Sequence, residues 1–286
     1  MLSLIDDPDE AVFETVCERF IQIGKPVVAT LEQYDEQFLD ATVHDRIALV
    51  IHKINFNEFC TELIMWCQDY DKELLYGGVL LSKYVDPQNN PIIIFQEIER
   101  IRRSIWLELN SYLTPLEKIN IVNNIIFKHF KFKGSVVDFK LPQDFTLHHL
   151  INHKISNSFA LSIMYASLAK MLDLPLYIIN LPQQNLLAYF NKPYNFEDNK
   201  NIHDPKKEIL FYVNPANGSL YNWENVFDYL KKIKKMDLNY FKPLHPHEIL
   251  QHQFGQLALC YRNEKTIFKH DDLLHFIKLI KKYNKF

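Results

Sequence analysis

Glycine is scarce in this sequence, with six in 286 residues. Neither GxGxxG nor GxxxxGK followed by Ser or Thr occurs, so no glycine-rich loop is available to cradle a phosphate, and nucleotide chemistry is not expected. Cysteine is scarce as well. Cys17, Cys60, Cys67 and Cys260 form no CxxC pair. Cys60 and Cys67 sit two turns apart on one helical face, the spacing of small core residues and too wide for zinc ligands. No apolar run comes near the roughly 20 residues of a membrane span. The opening "MLSLIDDPDE" places acids where a secretory signal needs basic and apolar residues. These absences lead to the expectation of a reduced, cytoplasmic protein with no membrane segment, no metal and no cofactor. Charge is not lopsided either: 32 basic against 35 acidic residues leave a net charge of −3. Basic clusters occur only in "KKIKK" (231–235) and the closing "KLIKKYNKF", and the balance argues against nucleic acid as a partner.

Apolar residues, by contrast, make up 48% of the chain, enough to build real cores throughout. The first part reads as helix after helix. "DDPDEAVFETVCERFIQIG" has an Asp cap, Pro8 just inside, and Val12, Val16 and Phe20 at helical spacing before Gly24 stops it. A second helix is expected over 26–34, and a third carries Val43, Ile47, Val50 and Ile54 as its apolar stripe. Paired short helices after "DDPDEAV" are similar to HEAT-type repeats, which bury each other's apolar faces. Asn89-Asn90-Pro91 marks a boundary. Beyond it Thr114, Pro115 and Glu117 spell a capped helix start. The character then changes. Within "HKISNSFALSIMYASLAKMLDLP" (153–175), residues 159–172 form a helix apolar on nearly every side, and three β-rich runs follow: "LYIINL", "NLLAYF" and "EILFYVNP". A polar stretch, "NKPYNFEDNKNIHDPKK", separates the last two as a surface loop. From Pro243 the pattern returns to paired helices. The expected fold class is α+β and mostly helical, divided into a HEAT-like region (1–90), an α+β core (91–235) and a helical tail (236–286).

The polar triplet Ser156-Asn157-Ser158 opens the apolar helix. A helix N-terminus offers free N–H groups and partial positive charge, which is why cysteine enzymes seat their nucleophile there. Serine and asparagine also cap helices, and Ser158 is expected to serve first as that cap.

The order of helix and three strands resembles the transglutaminase-like superfamily, in which a nucleophile opens the helix and a histidine and an acid follow on successive strands. More closely, "SNSFALSIMYASLAKMLDLPLYIINLPQQNLLAYF" and "FYVNPANGSLYNWENVFDYL" resemble the bacterial transglutaminase-like SirB family. The family's motif positions fall on Ser156 to Ser162, Leu172 to Pro175, Pro182 to Asn185 and Asn214 to Gly218, and the resemblance extends to both flanks, over most of the chain. It implies a papain-like core of a central helix on a small antiparallel sheet, followed by a tetratricopeptide-like tail. It places the superfamily's cysteine at Ser158, its histidine at Gln184 and its acid at Asn214. All three are replaced. No cysteine lies between Cys67 and Cys260. A serine hydroxyl needs a base, and the amide of Gln184 supplies none near neutral pH. Asn214 is the milder change, since asparagine can orient a histidine, but there is no histidine beside it to orient.

The expectation is therefore a catalytically silent protein that works by binding a protein or peptide. Two rivals stand beside it. One is a serine-dependent hydrolase or acyltransferase in which Ser158 borrows His148, His149, His153 or His203. The other is a purely structural helical scaffold. His245, His247 and His252 show neither HxxxH nor HExxH spacing and are given no role.

Overall fold

The structure, a computed structural model, describes residues 1–36, 40–69, 73–196, 204–264 and 266–283. Two compact units divide between Gln68 and Asp69.

The first unit holds α1 (Glu10–Ile23), α2 (Val28–Asp35) and α3 (Ala41–Gln68). The cap of α1 is Asp9, whose carboxylate accepts the Ala11 N–H at 2.9 Å. Pro8 thus precedes the helix, where the sequence reading puts it inside. Gly24 ends α1 at φ +74, a left-handed conformation that glycine adopts without steric cost. Phe13, Val16, Phe20, Leu31, Val43, Ile47, Val50 and Ile54 form the core. Arg46 ties the leading segment to α3: Nη1 donates to the carbonyls of Ile5 and Asp7 at 2.9 and 2.7 Å, and the guanidinium lies over the Phe13 ring.

The second unit opens with α4 (Leu74–Val85), α5 (Pro91–Glu108) and α6 (Pro115–Asn123). Asn90 caps α5, and Thr114 and Glu117 form the expected capping box of α6. The Asn89-Asn90-Pro91 turn therefore joins two helices within this unit. A π-helical turn, Asn124–His129, extends α6 into β1 (Lys133–Ser135). Then come α7 (Leu147–His153), β2 (Ile155–Asn157) and α8 (Ser158–Met171). The sheet follows: β3 (Leu176–Leu181), β4 (Gln184–Phe190), the single-turn α9 (Pro205–Glu208), β5 (Ile209–Val213) and β6 (Leu220–Tyr221). The strands lie in the order β3-β4-β5-β6, all antiparallel, while β1 and β2 form a separate parallel pair. The chain closes with α10 (Trp223–Lys232), α11 (Pro246–Ala258) and α12 (Ile267–Tyr283). The fold is α+β and mostly helical, with a central helix on a small antiparallel sheet.

Alternation along the strands sorts the sheet into two faces. Leu176, Ile178, Leu187, Tyr189 and Val213 pack in the cluster built around α8. Ile179, Leu181, Leu186, Ala188 and Phe190 pack on the other side with Val226 and Leu230 of α10. The tail helices pack through Phe254 and Phe276, whose ring centroids are 5.7 Å apart. Tyr84 of α4 donates to Asp272 of α12 at 3.0 Å.

Lys154, in a left-handed turn between α7 and β2 (φ 62), sets the entry to α8. Its ammonium lies 2.7 Å from Glu97 on α5 and covers the Phe132 ring. Burial alone would raise the Glu97 carboxyl, but the bonds from Lys154 and Arg100 outweigh it and hold the group below the usual range. A carboxyl lowered in the folded state adds stability above its unfolded value of 4.5, and that stability is lost as pH falls through the folded value. Lys154→Met is expected to cost about 1–3 kcal/mol near neutral pH and to flatten the loss of stability on acidification. Urea denaturation of both forms across this range checks it.

Candidate functional site

The mouth of α8 is assembled from three separate stretches of chain. From Lys154 the backbone runs extended through β2, beside β1, with Ser156 opposite Gly134 and Asn157 opposite Ser135. Ser156 is fully buried and its hydroxyl donates to the Asp144 carbonyl. The cap of α8 is Asn157. Its Oδ1 accepts the N–H groups of Phe159 and Ala160 at 3.0 and 3.3 Å. A cap needs extended backbone with its side-chain oxygen under the first free N–H groups; Asn157 has it (φ −72, ψ 171), whereas Ser158 is already helical. The expectation that Ser158 caps is thus corrected by one residue. Ser158 is half-buried at the first helical position, and among the described residues its Oγ makes no hydrogen bond.

Chain direction brings the other two positions to this end. A helix the length of α8 spans about 21 Å, and β3 runs back about 20 Å along it. The end of β3 and the start of β4 therefore lie level with the mouth, while β5 runs toward it and ends three residues short, Val213 pairing with Leu187. Within that edge, side-chain direction separates the residues. Leu187 and Tyr189 face α8, so alternation turns Asn185 toward the helix and Gln184 to the opposite face with Leu186 and Ala188. Asn185 is 5% exposed. Asn214 is engaged in its own turn: Oδ1 accepts the Ala216 N–H at 2.9 Å, its backbone carbonyl accepts Gly218 N–H at 2.8 Å, and Nδ2 lies 3.5 Å from the Tyr221 hydroxyl. Among the described residues no hydrogen bond joins Ser158, Gln184 and Asn214.

The 214–218 turn is locked to the helix mouth through β1. The Gly134 N–H donates to the Ala216 carbonyl at 2.8 Å, and a Cβ on Gly134 would meet the Ala216 Cβ at 2.4 Å and its Cα at 2.8 Å. On the far side, Asn123 of α6 donates to the Gly218 carbonyl at 2.8 Å and accepts from the buried Tyr165 hydroxyl of α8 at 3.0 Å. Gly218 sits at φ +73 against Asn123, which leaves no space for a side chain.

Aromatic rings wall the first turn of α8. Phe139 stacks on Phe145 at 6.1 Å, Phe145 on Phe159 at 5.6 Å, and the His252 ring of α11 lies 5.6 Å from Phe159. Next to it Gln253, fully buried, donates to the Phe159 carbonyl at 2.9 Å. Sequence reasoning gives neither residue a role. For Gln253 a signal existed, since it interrupts the apolar stripe Ile249, Leu250, Phe254 and Leu257 of α11 with a polar side chain.

The histidines named from sequence have other partners. His149 Nε2 faces Asp144 at 3.2 Å, its ring lies 4.3 Å from that of His153, and His148 pairs with Asn152 at 3.0 Å. His203 lies outside the described residues. Burial, with Asp138 and Asp144 nearby, pushes the Cys260 thiol up to about 12, so it stays protonated near neutral pH. No cluster able to hold a metal ion is present among the described residues, nor a helix long and apolar enough to cross a membrane.

Two measurements test this geometry. Gly134→Ala is expected to destabilise the second unit by about 1–3 kcal/mol through overpacking against backbone, read as a lower urea midpoint. Burial lowers the proton affinity of His149, aided by His153 and opposed by Asp144, and burial also lowers that of His252. The unfolded chain then binds protons first, so stability falls as pH drops below about 6.5 toward the folded values. Replacing both with Gln is expected to remove that part of the slope.

A family model described as transglutaminase-like superfamily matches residues 93–254. No curated protein and no solved structure matches the chain.

Proposed function

Because the chain belongs to the transglutaminase-like superfamily, we propose that it is a non-catalytic member that works by binding a protein or peptide at the mouth of α8. The observation that carries this reading is the hydroxyl at the nucleophile position: Ser158 Oγ has no hydrogen bond among the described residues, hence none to a histidine. Nucleophilic catalysis by serine requires a base within hydrogen-bond reach to take the hydroxyl proton. The residues at the neighbouring sheet edge, Gln184 and Asn185, are both amides, and the Asn214 amide is occupied in its turn. An amide can donate and accept hydrogen bonds at fixed orientation without moving a proton, the behaviour of a binding group. The finer parts of the proposal are a place in the bacterial SirB branch, HEAT-like helices before the core, a tetratricopeptide-like pair after it, and a cytoplasmic location.

Purified full-length protein is expected to show no amidase, esterase or transamidase turnover and no labelling by a serine-directed fluorophosphonate. Covalent capture at Ser158, abolished by Ser158→Ala, would overturn the proposal in favour of the hydrolase. Peptide display against the intact chain tests the binding half. Enrichment of a consensus whose affinity drops in Ser158→Arg supports it, and failure to enrich any sequence favours the scaffold.

A further inference from the structure

Hydrogen-bond donors without acceptors collect on one face of the β1–β2 pair. The orientation of the Asn157 amide is fixed, because Oδ1 accepts two helix N–H groups and a flipped amide would set Nδ2 against those same donors. Nδ2 is therefore the group turned away from the helix N–H groups, and it is buried with no partner among the described residues. Asn157 itself is 0% exposed. Ser135 is its register partner on the parallel neighbour strand, so the two side chains leave the same face of strands about 4.8 Å apart. Ser135 Oγ is likewise shut off from solvent without a partner. Ser158, next to Asn157 in the chain, adds a third free donor, a hydroxyl, and is half-buried, so the chain meets solvent one residue from Asn157. The positive end of α8 reinforces the same preference for electron-rich atoms. Buried donors left unmade are costly, and each one in a folded protein calls for a physical reason. What this cluster is missing is an oxygen.

We propose that Asn157 Nδ2 and Ser135 Oγ form a subsite for an acceptor oxygen of a bound peptide, whether a main-chain carbonyl or a terminal carboxylate. The subsite rests on the peptide-binding reading above and names the group of the ligand that is held. Asn157 plays two parts, its oxygen capping the helix and its nitrogen binding the ligand. Ser135 serves the ligand alone, since its hydroxyl has no partner among the described residues.

The test uses the full chain with asparagine side-chain amides labelled with nitrogen-15, titrated with N-methylacetamide for the carbonyl and acetate for the carboxylate. Asn157→Asp keeps the capping oxygen and removes the donor, so it assigns the Asn157 amide signals by their loss. A saturable shift of those signals with either probe is expected, and the responding probe identifies the source of the oxygen. In Ser135→Ala the same titration should weaken by about fivefold, the loss of one hydrogen bond, while thermal stability holds or rises because an unpartnered polar group has been removed. The absence of a saturable shift with both probes overturns the subsite, as does an unchanged affinity in Ser135→Ala. So does a persistent contact of the Asn157 amide with bound water that neither probe displaces, the mark of an internal water only. Any of these results leaves the wider binding reading standing on its peptide-display experiment.

Discussion

A helix without a polar stripe has to be enclosed, and that constraint organises the second unit. Every residue from Ala160 to Ala169 is buried. Each large apolar side chain hidden this way contributes about 1.5–3 kcal/mol, so the elements around α8 are held to it by more than any single polar contact supplies. The α8-facing residues of the sheet cover one side, and α4, α5 and α7 contribute to the same cluster. Only the two ends of the helix escape enclosure. The C-terminal end carries an exposed pair, Lys170 with Glu73 at 3.0 Å. The N-terminal end keeps Ser156 and Asn157 buried and Ser158 half-buried. Along its buried middle α8 carries only isolated polar groups, among them the Tyr165 hydroxyl bonded to Asn123 and the Ser162 hydroxyl bonded to the Phe159 carbonyl, whereas three consecutive polar residues gather at the mouth.

At that mouth the tolerance is set by backbone approach. Gly134 and Ala216 leave no room for another atom, which fixes the 214–218 turn against β1 and β1 against the cap of α8. Asn214 and Gly218 of the turn then have clear work: the asparagine closes it with its carboxamide, and the glycine takes a left-handed conformation beneath Asn123. Both residues follow from the demands of the turn, with no contribution from a histidine to be oriented.

Much of this fold was legible in the sequence where the signal is local. Caps and stops such as Thr114 with Glu117, and Gly24, depend on a few adjacent residues. The all-apolar helix and the β-rich runs after Pro175 declare themselves by composition and period. The parallel pair β1–β2 was not legible, because three-residue strands reading "KGS" and "ISN" carry no period and are defined by partners 22 positions apart. The cap could not be singled out, since Ser156, Asn157 and Ser158 are all capping types and backbone angles decide among them. The direction of Gln184 turned on one residue of register: in a strand each step reverses the face, so an alignment correct to within one position can still place the wrong side chain at the helix. His252 and Gln253 reach the mouth only through the docking of α11, a tertiary fact, although a glutamine within an apolar stripe was a visible cue.

The sheet edge beside the mouth of α8 carries two amides, Gln184 and Asn185, and an amide does a different kind of work from an imidazole. A histidine next to a helix N-terminus has its proton affinity lowered by the helix field and by burial, which suits a base that must take a proton and return it. An amide is indifferent to both influences because it does not titrate. Burial makes its hydrogen bonds stronger and its unmade ones more costly. Among the described residues Asn157 keeps a buried donor, and Asn185 and Gln253 each a buried oxygen, without a partner. The close backbone packing around Gly134 holds β1 beside the strand that leads into α8, so the end that Asn157 caps has little room to rearrange around its unmade bond.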